Sequence, residues 1–165
     1  VEVVIVNPGI ILGSGFWQAG SGKLFTQVYN GLKFYTEGIT GFVGVKDVVK
    51  SMILLMNSEI KNERFILVSE NKSFKDVFFL MADAFGKSKP SIKIKSWQTS
   101  IFWRVSSLLS FILNKEPFLS KYSARSAHSI SEYSSEKIEK ALSYQFQKIN
   151  KVIKETSEKY TSSSS

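Results

Sequence analysis

Val1-Glu-Val-Val-Ile-Val-Asn-Pro-Gly-Ile-Ile-Leu-Gly13 decides how the chain is read. A β-branched apolar run feeds into Asn7-Pro8-Gly9, and a second apolar run stops at Gly13. Branched side chains suit a pleated surface, and proline followed by glycine ends a strand in a tight turn. An apolar run of this length, without polar alternation, predicts a strand buried in a sheet covered on both faces. The carboxyl ends of such strands are where open α/β sheets bind ligands. The chain begins on this strand without a methionine, which reads as the middle of a fold.

The 165 residues are one domain's worth, long enough to bury a core. Cysteine is absent and histidine occurs once, at His128. Thiolate metal sites, disulfides, cysteine nucleophiles and histidine-centred triads are therefore excluded within the chain, and no metal site is expected. The formal charge is +8, from 22 Lys+Arg against 14 Asp+Glu. The lysines are scattered, with only Lys87, Lys89, Lys93 and Lys95 forming a loose cluster, so the pattern is a solvated basic surface and not a nucleic-acid stripe. Val1–Val6 lacks the basic flank and length of a secretory signal, and the longest apolar stretch elsewhere is broken by Arg104 and serines. A cytoplasmic protein is expected.

Downstream, the periodicity alternates between strands and helices, an α/β pattern. A glycine- and aromatic-rich loop over 14–22 precedes a helix from Lys23 to Leu32. Short strands follow at Lys33–Thr36 and Gly41–Val45. Asp47 reads as the cap of a helix with Val48, Met52, Leu55 and Met56 on its face. Arg64–Val68 is a strand, and Ser73 with Asp76 forms an approximate capping box for a helix over Phe74–Phe85, closed by Gly86. Ile92 and Ile94 mark a short strand, and helices are expected over 97–113 and 118–126. Ser131–Tyr133 is extended, helices follow over 136–142 and 147–160, and 161–165 is a disordered tail. The division is therefore one unit, 1–160, plus that tail.

The loop at 13–23 imitates two phosphate-binding motifs and fits neither. A P-loop would need glycine at Trp17 and Ser or Thr at Leu24; a dinucleotide fingerprint would need a third glycine at Gln18. Asn71-Lys72-Ser73 matches a glycosylation sequon, but no secretory signal supports it. His128 reads as a surface residue, with acid–base chemistry as its alternative, and the aromatic stripe Trp97, Phe102, Trp103 as packing or a substrate lid. No nucleophilic, metal or acid–base constellation can be assembled from these residues, so no catalytic residue is assigned.

Three pieces in this order resemble a known family. Val3-Val-Ile-Val-Asn-Pro-Gly9…Gly13, Gly20-Ser-Gly-Lys-Leu-Phe25 and Gly41-Phe-Val-Gly-Val-Lys-Asp-Val-Val49 resemble the second half of extended short-chain dehydrogenases/reductases. This is the NAD-dependent epimerase/dehydratase family, including its dihydroflavonol-reductase-like branch. Tyr133-Ser-Ser-Glu-Lys-Ile-Glu-Lys-Ala-Leu-Ser-Tyr-Gln-Phe146 is similar to that family's C-terminal signature. The resemblance covers nearly the whole chain.

It implies the C-terminal part of a Rossmann-type, doubly wound fold: a few strands plus a mostly helical substrate-binding lobe. The dinucleotide-binding portion, with its glycine fingerprint and Tyr-x-x-x-Lys pair, would precede Val1, and no tyrosine here is taken as that pair's counterpart. The cofactor implied is NAD or NADP. Asn7, Pro8 and Gly9 would approach its nicotinamide, and Ser21 its phosphates. Phe16, Trp17, Tyr35 and Phe42 would wall the substrate pocket. A small-molecule substrate is implied, nucleic acid and membrane are not, and the full-length protein is compatible with a homodimer.

One departure is informative. Nucleotide-sugar epimerases of the family commonly carry an arginine seven residues before the aspartate, and a histidine three before it; here those positions are Thr40 and Gly44. A threonine lacks the charge and the fork of donors that grip a diphosphate. The lean is therefore towards a reductase of a smaller carbonyl compound, active only in the parent protein and not in this chain alone. The alternative is a standalone basic α/β module that binds nucleic acid or an anionic membrane surface.

Overall fold

The computed structural model describes residues 2–98 and 126–163. The helices expected over 97–113 and 118–126 lie outside that range except for their ends. The described elements run β1 (Val4–Pro8), β2 (Ile10–Leu12), α1 (Gly22–Tyr29), β3 (Phe34–Tyr35), β4 (Ile39–Gly44) and α2 (Val45–Met56). They continue with β5 (Glu63–Leu67), β6 (Glu70–Ser73), α3 (Phe74–Phe85), β7 (Ile92–Lys93), α4 (Glu136–Leu142) and α5 (Ile149–Ser163). The architecture is mixed α/β, with mostly parallel strand pairs and helices between them.

The chain changes sheets at the Pro8-Gly9 break. β1 pairs in parallel with β5, Val6 opposite Phe65 and Pro8 opposite Leu67, and the Gly9 amide donates to the Leu67 carbonyl at 3.0 Å. β2 then pairs in parallel with β4, which is flanked on its other side by antiparallel β6. Pro8 has no amide hydrogen, so it suits the end of a ladder and not its middle. β3 and β7 form a separate two-stranded parallel piece.

β4 divides the core. Phe42 faces one side, where Leu12, Phe25, Val77, Met81, Ile149 and Ile153 join α1, α3 and α5. Val43 faces the other, with Val48, Leu55, Phe65, Leu67 and Ile138 under α2 and α4. Alternation along a pleated strand places neighbouring side chains on opposite faces, so one central strand serves two helical layers. Tyr160, three residues before the end of α5, packs its ring 4.8 Å from Trp17, 5.1 Å from Tyr29 and 5.5 Å from Phe85, centroid to centroid.

Several sequence expectations change. β1 is covered on one face only: Val4 and Val6 are half-buried beneath α2 and α4, whereas Ile5 stays 41% exposed. Its sheet has just two strands among the described residues, and the helices lie on one side. Asp47 is not the cap of α2; Gly44 is, and Asp47 lies in the first turn with its carboxylate turned towards the C-terminal segment. Met52 and Met56 point outwards, while Val48, Ser51 and Leu55 face inwards. β6 (Glu70–Ser73) is a strand that the local pattern does not predict, because its pairing with β4 is non-local. α5 continues through Ser163, so residues 161–163 are helical and not a tail.

Ser135 closes the outer edge of β5. Its hydroxyl accepts from the Val68 amide at 2.6 Å and donates to the Val68 carbonyl at 2.7 Å, all within a buried environment. Removing it leaves two backbone groups without partners. Ser135→Ala should destabilise the chain by about 2 kcal/mol, read as a lower urea midpoint at unchanged slope.

Candidate functional site

Three segments converge at the carboxyl end of β1. Asn7 and Pro8 are exposed there. Gly9 lies so close to β4 that a β-carbon on it would sit 2.3 Å from the Gly41 carbonyl oxygen and 3.1 Å from Val68. Gly41 is backed in turn by Val68 and by the ring of Tyr133. The absent side chains let the bend, β4 and the end of β5 share one van der Waals layer, the physical reason for two glycines here.

Tyr133 is held by its backbone. The Asn71 side chain donates to its carbonyl at 2.9 Å and accepts from its amide at 3.1 Å, an amide imitating a ladder rung. The ring remains 43% exposed. Residues 126–131 run along the start of β4: the Gly38 and Ile39 amides donate to Ala127 and Ser129, and the Ser131 amide donates to Ile39. His128 sits in this segment half-buried, and desolvation holds its pKa below the ordinary value.

The residues expected at the site are only partly brought together. Asn7 and Pro8 are the last paired residues of β1 and Gly9 is a bend between β1 and β2, where the sequence predicts a tight turn. Ser21 is elsewhere occupied, its hydroxyl donating to the Ile11 carbonyl, so it offers a phosphate no donor in this arrangement. Phe42 is fully buried and packs edge-on against Phe74. Trp17 points into the core against Tyr160, while the neighbouring Phe16 is 82% exposed. Tyr35 lies on Phe79 with the Lys75 ammonium 5.6 Å over its ring. Phe42 and Trp17 thus pack in the core, Tyr35 on α3, and Phe16 lies in the open.

Tyr29, Tyr133 and Tyr144 each have a lysine four residues on, at Lys33, Lys137 and Lys148. Spacing alone therefore leaves three copies of Tyr-x-x-x-Lys, and the structure decides among them. A working pair needs one helical turn to set both side chains on one face. Tyr29 is the last residue of α1, Tyr133 precedes α4, and Tyr144 with Lys148 lies between α4 and α5. None spans a turn of helix. The Tyr144 hydroxyl donates to Asp47, and the ring carries Lys50 at 5.0 Å.

A small cavity of about 90 Å³ opens at the ends of β2 and β4, between Gly13, Ser14, Val45, Lys46, Glu155 and Lys159. Lys46 and Gln147 both donate to Glu155, at 2.7 and 2.8 Å, and the Lys46 contact, first, holds the Glu155 carboxyl below the ordinary range. The basic cluster is locally compensated: Lys89 pairs with Asp83 at 2.9 Å, Lys93 pairs with Glu37, and Lys87 lies over the Tyr29 ring. Among the described residues no group of three or more His, Cys, Asp or Glu could hold a metal, and no helix is long and apolar enough to cross a membrane.

No family model and no curated protein matches the chain. Solved structures do. The fold is similar to gox2253 (22% identity, TM-score 0.75), covering 97% of this chain and 49% of that one. It is similar to UDP-glucose 4-epimerase from Thermotoga maritima, solved with UDP-glucose (17%, TM-score 0.68; 100% and 48% covered). It is likewise similar to the human epimerase family protein SDR39U1, isoform 2, solved with NADPH (14%, TM-score 0.68; 94% and 48% covered). At these identities the likeness establishes the fold alone. The chain spans about half the length of each.

Proposed function

We propose that this chain is the substrate-binding portion of an NAD(P)-dependent oxidoreductase or epimerase, with the dinucleotide-binding portion lying upstream of Val1. The observation that carries the reading is the exposed Asn7-Pro8 pair at the carboxyl end of a parallel strand, in a fold shared with nicotinamide-dependent proteins. Asn7, Pro8 and Gly9 would form one wall against the nicotinamide ring. Ser21 would reach a phosphate only after releasing Ile11. The bound nicotinamide would supply the hydride, and the proton donor would come from the upstream portion.

Within that class the reading leans towards a small-carbonyl reductase of the dihydroflavonol-reductase-like kind. Thr40 faces the same side of the sheet as its cross-strand partner Lys72, whose ammonium lies 3.5 Å from Glu70. Glu70 also accepts from the Ile149 amide at 2.6 Å. The cross-strand partner of Thr40 is thus already held by a carboxylate that anchors α5. Phe16 and Tyr133, both exposed, would offer apolar surface to a substrate.

The test uses the full-length protein. It should quench NADH or NADPH fluorescence on binding and oxidise the reduced cofactor with a small aromatic or aliphatic carbonyl, leaving UDP-hexoses unchanged. UDP-hexose epimerisation would replace the reductase lean by an epimerase; failure to bind either nicotinamide would end the proposal.

A further inference from the structure

Tyr133 stands at the ligand-prone edge of the sheet. β1 and β5 are parallel and end together, Pro8 opposite Leu67, with Gly9 and Val68 next in line. A β-carbon on Gly9 would meet Val68 Cγ2 at 3.1 Å. One on Gly41 would meet the same methyl at 2.5 Å and Tyr133 Cδ2 at 3.2 Å. The tyrosine ring therefore lies one glycine away from the Asn7-Pro8-Gly9 break. Open α/β sheets bind ligands at such carboxyl ends.

The backbone beneath this ring is fixed at every second residue. The Ser131 amide donates to the Ile39 carbonyl at 2.9 Å. Tyr133 exchanges two hydrogen bonds with the Asn71 side chain, at 2.9 and 3.1 Å, and Asn71 lies opposite Gly41 in the β4–β6 ladder. Ser135 holds both backbone groups of Val68. β4, β6 and the end of β5 thus set one short extended segment.

Such fixing usually serves a residue that packs. Tyr133 belongs to neither core cluster of the described residues, and 43% of it is exposed. A side chain set firmly in place and then left open is presented to something outside the core. Tyrosine does this at little entropic cost, with two side-chain torsions and a broad flat face.

Resting on the functional reading above, we propose that Tyr133 is a specificity-determining residue of the candidate site and that its substrate is an aryl carbonyl compound. The tyrosine ring stacks offset or edge-on against the aromatic group of the substrate, beside the wall formed by Asn7, Pro8 and Gly9. Asn71 is a positioning residue: it acts by holding Tyr133 and not by touching the substrate. An alkyl carbonyl offers the ring no matching quadrupole, so the two classes are told apart by the ring itself.

The test uses the full-length protein with isotope-labelled tyrosine, with and without NADH or NADPH. The nuclear magnetic resonance signals of the Tyr133 ring are identified by their loss in Tyr133→Phe. Acetophenone should shift these signals and acetone should not. Acetophenone affinity should fall about tenfold in Tyr133→Ala and stay within about twofold in Tyr133→Phe, with acetone affinity unmoved. Asn71→Ala should weaken acetophenone binding as well, yet add nothing further in the Tyr133→Ala background. Full additivity of the two substitutions would refute the positioning role. An unshifted Tyr133 ring in protein that binds nicotinamide would overturn the proposal and leave the functional reading intact. A shifted ring in protein that binds no nicotinamide would refute that reading and leave the aryl contact standing; neither shift nor nicotinamide binding would overturn both.

Discussion

Gly9→Ala is expected to destabilise the chain by about 3–4 kcal/mol, a loss of about 10 °C in Tm. The added β-carbon would stand 2.3 Å from the Gly41 carbonyl oxygen and 2.8 Å from its carbon. Both atoms are backbone, so no rotamer change relieves the overlap; β1 or β4 must move. β4 is buried along most of its length and bonded on both edges, so the bend yields first. The measurement is a urea or thermal melt of the 165-residue chain. On the proposed function, the displaced Asn7-Pro8 should also weaken nicotinamide binding by the full-length protein beyond what stability explains. A melt within 1 °C of wild type would refute the close approach.

Asp47→Ala is the second large effect, expected at about 3 kcal/mol. Asp47 is 5% exposed, accepts from the Tyr144 hydroxyl, and accepts from the Gln147 amide at 3.2 Å. Its position in the first turn of α2 adds the favourable end of the helix dipole. Truncation leaves a buried hydroxyl and an amide without acceptors and frees the link between α4 and α5.

The same contact has a signature in pH. Burial first, then the hydrogen bond and charge of Asp47, raise the Tyr144 pKa. A hydroxyl that keeps its proton in the folded state, after the unfolded chain has released it, stabilises fully below about pH 10 and less above. Wild-type stability should therefore fall as pH rises beyond that point. Tyr144→Phe should remove that part of the slope; an unchanged slope would show that Tyr144 is not its source.

Local signals in the sequence were reliable where both partners were near. Ser73 accepts from the Asp76 amide at 3.0 Å, Gly86 closes α3 in the left-handed conformation at φ 61°, and α4 spans Glu136–Leu142 as its periodicity indicates. Asp47 misled because an acidic residue at a helix start has a local explanation, while its actual partners lie 97 and 100 residues away. Met52 and Met56 were assigned to the core face because α2 is apolar on two sides, and periodicity does not say which side is inside. The break between β1 and β2 is legible from Pro8-Gly9, although the chain bends there and does not turn. The packing of Phe42 and Trp17 into the core was not legible, since they are as apolar as a pocket lining.

The long reach of Asp47 also bears on how the chain folds during synthesis. α2 emerges from the ribosome with a carboxylate whose two partners are still untranslated, and β1 waits for β5, 59 positions later in its register. Such distant contacts recoup loop-closure entropy late, which makes folding slow. Until Gln147 has emerged, α2 can pack only by burying an unsatisfied charge. The nascent chain should thus stay open to proteases and chaperones almost to its last helix, then close in a single late step.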